Sequence, residues 1–146
     1  MKREAGVTLM EMLIVVTIIG LMVGVSFPAV SSGVDSLRLS SGADSVATFL
    51  NAALNRAERR QQVMEVTVSK TENKLTMRST EKGFLRELEM PTGVTVESEG
   101  RVFLYPGGTV PRISVQLANR KGQKRIVRVD PMTGVPEIES IQEGGQ

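Results

Sequence analysis

The chain has 146 residues, 40% of them apolar, with a mean hydropathy of −0.03, which supports one modest core with an appendage and excludes wholesale disorder. Eighteen Lys and Arg face 16 Asp and Glu, for a net charge of only +2, so no global polyanion-binding surface is announced and any basic site must be local. There is no Cys and no His, which removes disulfides, thiol nucleophiles, imidazole metal sites and Ser-His-Asp chemistry together.

The first element is an apolar helix. From Met12 to Val34 no residue is charged, and that length of helix covers about 35 Å, enough to cross a bilayer. Lys2 and Arg3 precede it, so the positive-inside bias puts the N-terminus in the cytoplasm and the remainder outside. A cleaved secretory signal would have a shorter apolar core and a clear small-residue cut site; "SFPAVSSG" is a weak match. Glu11 stands at the head of the run, where an unpaired carboxylate costs a few kcal/mol unless paired, protonated or drawn to the interface. Pro28 cannot donate to the Gly24 carbonyl, so a kink or opening is expected there, with Gly20 and Gly24 weakening the same stretch.

After Gly33 the pattern becomes amphipathic. Val46, Leu50, Ala53, Leu54 and Ala57 repeat at helical spacing, with polar and charged residues between them. Ser40, Ser41 and Gly42 mark an expected bend, and "RAERRQQ" supplies cations suited to a helix C-terminus.

From Val63 the period changes to two. "VMEVTVSK" and "KLTMRST" flank the short turn "TEN" and predict a hairpin with Val66, Val68, Leu75 and Met77 facing inward. Further strands are predicted at "GVTVESE", "RVFLYP", "ISVQLAN" and "KRIVRVD", the apolar "VFLY" being read as a covered central strand. The β region is too short for a confident core of its own, so the amphipathic helix should pack its apolar stripe on the sheet.

No catalytic chemistry is legible. "YPGGT" lacks the Lys-Ser/Thr and the following helix of a phosphate loop. Asp130 with Glu137 or Glu139 lacks the spacing of a calcium loop, so no metal and no cofactor are expected. Arg120, Lys121, Lys124, Arg125 and Arg128 cluster around a Gly turn; such a hairpin could grip phosphates without reading sequence, although a solvated edge protected by lysine is the preferred reading.

The segment "KREAGVTLMEMLIVVTIIGLMVGVSFPAV" resembles the N-terminus of type IV pilins and type II secretion pseudopilins: a short basic leader, Gly, a hydrophobic residue, Thr-Leu, and Glu fifth after the cleavage point. Val7 departs from the usual Phe. The resemblance implies an α+β, pilin-like fold, a long N-terminal helix with transmembrane and amphipathic halves packed on a small antiparallel sheet or sandwich. It divides the chain into a leader at 1–6, a transmembrane helix at 7–33, an amphipathic extension at 34–62 and a periplasmic β domain at 63–146. It further implies cleavage by prepilin peptidase between Gly6 and Val7, N-methylation of Val7, Glu11 as the assembly residue meeting a neighbour's α-amine, and Gly20 and Pro28 as the segment that melts on assembly. The order "RVFLYPGGTVPRISVQLANRKGQKRIVRVDPMTGVPEI" resembles the H-type minor pseudopilins and the T-type fimbrial minor pilins, except that Val135 and Pro136 follow Thr-Gly where a basic residue is usual. These resemblances imply a non-enzymatic, single-pass inner-membrane subunit. Its partners would be other pseudopilins, the peptidase and an inner-membrane assembly platform; the T-type reading adds pilus initiation or DNA uptake.

Overall fold

The computed structural model describes residues 8–81 and 83–141, the side chains at 27–32 lying outside the described set. The chain divides into two compact units, Met1–Val34 and Asp35–Gln146. One helix, α1 (Leu9–Arg60), contributes to both.

In the first unit the large apolar side chains of α1 between Leu9 and Val25 are all exposed, from 45% at Val15 to 84% at Leu9. A helix apolar on every face is what lipid or a packed array of helices accepts and water does not. Helical backbone continues through Gly20, Gly24 and Pro28.

In the second unit α1 buries Leu39, Ala43, Val46, Phe49, Leu50, Ala53 and Ala57, a stripe at three- and four-residue spacing. Burying Leu39, Val46, Phe49 and Leu50 contributes about 2 kcal/mol each. The bend expected at Ser40–Gly42 is absent, since α1 is continuous there. The small residues serve packing instead: a Cβ on Gly42 would lie 3.4 Å from Val94 Cγ1 and 3.5 Å from Pro91 Cδ, so glycine sets how closely the helix approaches. The helix stops at Arg60, where Gln61 takes a left-handed φ of 51°. Its N–H reaches the Glu58 carbonyl and that of Gln62 the Ala57 carbonyl, the double closure of a Schellman motif.

The strands are β1 (Met64–Ser69), β2 (Lys74–Ser79), β3 (Leu85–Glu89), β4 (Val94–Val96), β5 (Gly100–Leu104), β6 (Ser114–Asn119), β7 (Lys124–Val129) and β8 (Pro136–Ile141). They form two four-stranded antiparallel sheets, ordered β3-β2-β1-β5 and β4-β6-β7-β8. The predicted hairpin is present in register, Val66 opposite Met77 and Val68 opposite Leu75, and all four are buried. With Met64, Leu104, Val94, Val96, Val115, Leu117, Val127, Val129 and the helix stripe they make one core.

The "VFLY" reading needs correction. β5 lies at the end of its sheet, paired with β1 alone, with Val102 and Leu104 turned inward while Phe103 and Tyr105 remain 41% and 59% exposed. The run is apolar on both faces, yet only one face is covered. The β1–β2 turn does more than reverse the chain. Asn73 adopts a left-handed φ of 52° and its amide donates to the Val94 carbonyl at 3.0 Å while accepting from Val96 N–H at 2.8 Å. One side chain thereby joins the first sheet to the free side of β4.

Candidate functional site

Gly6 and Val7, the predicted processing residues, lie outside the described residues. The next residue is informative: Thr8 Oγ1 accepts a hydrogen bond from Glu11 N–H at 3.2 Å, and the Thr8 carbonyl accepts from Met12 N–H at 3.2 Å. Thr8 is therefore the N-cap of α1, and Glu11 occupies the third helical position, its backbone N–H satisfied by the cap. Sequence reading named the Thr and the Glu but missed this relation, although the spacing alone carries it. The carboxylate is drawn by the positive end of the helix dipole and remains exposed, open to a partner outside the chain. Further along, Thr17 and Ser26 return their hydroxyls to the Leu13 and Met22 carbonyls at 2.7 and 2.8 Å, so neither hydroxyl is left without a partner in an apolar surrounding.

The five cations of the hairpin are divided between its turn and β7, and Lys121, Lys124 and Arg125 line one cavity with Ser36, Leu39 and Ser140. Asn119 builds the turn: its Oδ1 accepts from the N–H groups of Lys121 and Gln123, both at 3.0 Å, and its amide donates to Gln123 Oε1 at 2.7 Å. Gly122 completes it at a φ of 79°. Arg120 and Lys121 project from this turn and are exposed, Arg120 lying along Gly93. Lys124 and Arg125 are successive residues of β7 and point to opposite faces. Arg128 is four residues along the strand and pairs with Glu139 at 3.2 Å. A phosphate backbone laid on the turn would meet Arg120 and Lys121 first.

One site escaped sequence reading altogether. Glu65, on the outer face of β1, is only 6% exposed. Arg78 binds one carboxylate oxygen through Nη2 at 2.7 Å and Nε at 3.0 Å, and Arg101 Nε lies 3.0 Å from the other. Alternation on β1 marks Glu65 as an outward position, but its burial comes from neighbours on β2 and β5 that only the register brings together.

Comparison with known proteins supplies the context for these features. Residues 1–27 match the prokaryotic N-terminal methylation motif. Among solved structures, the chain is similar to the minor pseudopilin EpsH from the Type 2 Secretion System of Vibrio cholerae, at 12% identity and a TM-score of 0.54, covering 74% of this chain and 99% of that one. A search of curated proteins finds no match. At that identity the likeness speaks for the fold, and the motif speaks for the N-terminus. The N-terminus is thus similar to that of proteins carrying the prokaryotic methylation motif, and the helix packed on two antiparallel sheets is similar in fold to the EpsH minor pseudopilin.

Proposed function

We propose that this chain is a minor pseudopilin of the H type. It is cleaved after Gly6 and methylated on Val7, spans the inner membrane once with its N-terminus in the cytoplasm, and presents the Asp35–Gln146 unit to the periplasm. It joins a short filament with other pseudopilins above an inner-membrane assembly platform, and that filament helps drive protein export. The chain catalyses nothing; its work is mechanical. The observation that carries the reading is the helix beginning at Thr8 with Glu11 exposed at its head and apolar side chains exposed behind it. Among the described residues no cation pairs with that carboxylate, and the free amine created at Val7 of a neighbour would supply one; in a low dielectric such a contact is strong.

Intact-mass spectrometry of the membrane-extracted protein tests this reading. A mature chain starting at Val7 and carrying one methyl group is expected. A chain still starting at Met1, or one cut after Ser32, overturns it. The alternative of a T-type minor pilin acting in pilus initiation or DNA uptake draws support from Arg120 and Lys121 at the tip of the β6–β7 turn, and DNA binding separates the two.

A further inference from the structure

The two sheets have four edges, and three of them are blunted. β3 carries Arg86, Glu87 and Glu89. β4 is three residues long and has its free backbone occupied by the Asn73 amide. β8 begins with Pro136 and carries Glu137 and Glu139. Short length, charge, proline and a covering group are the recognised devices that stop an edge from pairing with another chain. β5, Gly-Arg-Val-Phe-Leu, has one charge and none of the other devices.

The direction of its free hydrogen bonds follows from register. Thr80 N–H donates to the Val63 carbonyl, so Val63, and by alternation Glu65 and Thr67, turn their backbone groups toward β2. Met64, Val66 and Val68 then face β5, bonding Leu104, Val102 and Gly100 across it. Arg101 and Phe103 are left with their N–H and C=O groups directed away from β1, and among the described residues no strand pairs there.

Side chains on the outer face beside this edge are of one character. Phe103 and Tyr105 are exposed aromatics, and Arg101, the charge carried by the strand itself, stands with Arg78 around the carboxylate of Glu65. Glu99 stands before the strand, outside the paired segment. Arginine with aromatic residues is the composition of protein-binding hot spots. Leu104 and Tyr105 also line a cleft of about 300 Å³ bounded by Leu54, Glu58, Val110 and Val135, so the edge runs into a pocket able to take a side chain.

We propose that β5 is a docking edge that takes an extended, acidic segment of a partner protein as an added antiparallel or parallel strand. Its carboxylates lie over Arg101 and its alternate apolar side chains continue the inward row of Val102 and Leu104. Main-chain bonds to Arg101 and Phe103 supply the pairing, and the Arg101 guanidinium on the strand itself selects acidic sequence over basic. The inference stands apart from the filament reading, since it concerns only the Asp35–Gln146 unit.

The test uses the full chain in detergent micelles with two synthetic eight-residue peptides, one alternating valine and glutamate, the other valine and lysine. The acidic peptide should bind at least tenfold more tightly by fluorescence anisotropy. Exchange of the Arg101 and Phe103 amides should slow at least tenfold on its binding. Phe103→Pro removes an outward N–H without touching the β1 ladder and should weaken binding at least tenfold, whereas Phe103→Ala, which keeps that N–H, should weaken it less. Equal binding of the two peptides, no binding of either, protection appearing at residues 120–125 instead, or full affinity in a folded Phe103→Pro variant would each overturn the proposal. So would a concentration-dependent dimer in ultracentrifugation abolished by Phe103→Pro, because the edge would then take a second copy of this chain.

Discussion

Asn73 offers a sharp test of how the two sheets are held together. Its side chain makes two partly buried hydrogen bonds to β4, and its backbone sits in the left-handed region. A net hydrogen bond is worth about 1 kcal/mol, with more lost when the abandoned partner stays buried. Asn73→Gly keeps the backbone conformation at no steric cost and should lose about 2 kcal/mol from the two bonds. Asn73→Ala adds the strain of a Cβ in the left-handed region, about 1 kcal/mol, for about 3 kcal/mol in total. Asn73→Asp retains the acceptor for Val96 N–H but turns a carboxylate oxygen on the Val94 carbonyl, and should fall below Asn73→Gly. Thermal unfolding of the full chain in micelles, followed by circular dichroism, reads the series, with about 4 °C per kcal/mol for a unit of this size. An alanine variant as stable as the parent, or a glycine variant less stable than the alanine one, would refute the assignment of Asn73 as the inter-sheet clip.

Other outcomes follow from the same geometry. Glu11→Ala should insert and be processed yet give less crosslinking between subunits, with Glu11→Gln separating charge from hydrogen bonding; normal assembly of both would show that the carboxylate merely snorkels to the interface. For duplex DNA, binding no tighter than about 10⁻⁴ M at physiological salt is expected, and Lys121, Lys124 and Arg125 changed together to Glu should leave the fold intact; sub-micromolar binding lost in that variant would favour the DNA-capturing pilin. Lys74 is bridged by Glu72 at 3.0 Å and Glu87 at 3.2 Å, and these hydrogen bonds raise its pKa above the ordinary lysine value. The stability this contributes is present below the ordinary lysine range and declines as pH rises through the raised value, so Lys74→Met should flatten the pH dependence of unfolding above about pH 10.

Elements with strong apolar periodicity were legible in the sequence. The helix stripe and the β1–β2 register rest on side chains that want burial, and both fold as their spacing predicts. β3 was not legible: Leu85 is 62% exposed and the rest of Leu85–Glu89 is mostly charged, so the strand exists through backbone pairing to β2 and leaves no side-chain signal. β5 misled for the opposite reason, an apolar run whose outward half is uncovered. Ser40–Gly42 suggested a bend because small residues weaken an isolated helix, whereas here they admit a neighbouring loop. Glu11 stood out in the sequence because a carboxylate at the head of an apolar run is costly, and its part in assembly is the proposed one. The Glu65 cluster and the Asn73 clip were not, since both depend on which strands become neighbours.

Among the described residues the buried core begins at Leu39 and includes no side chain before it. On the proposed filament reading, the exposed apolar side chains from Leu9 to Val25 exchange acyl chains for the flanks of sister helices, and none of them belongs to that core. Extraction from the bilayer would then be set chiefly by the solvation of that stretch, with the core of the folded unit carried along as cargo.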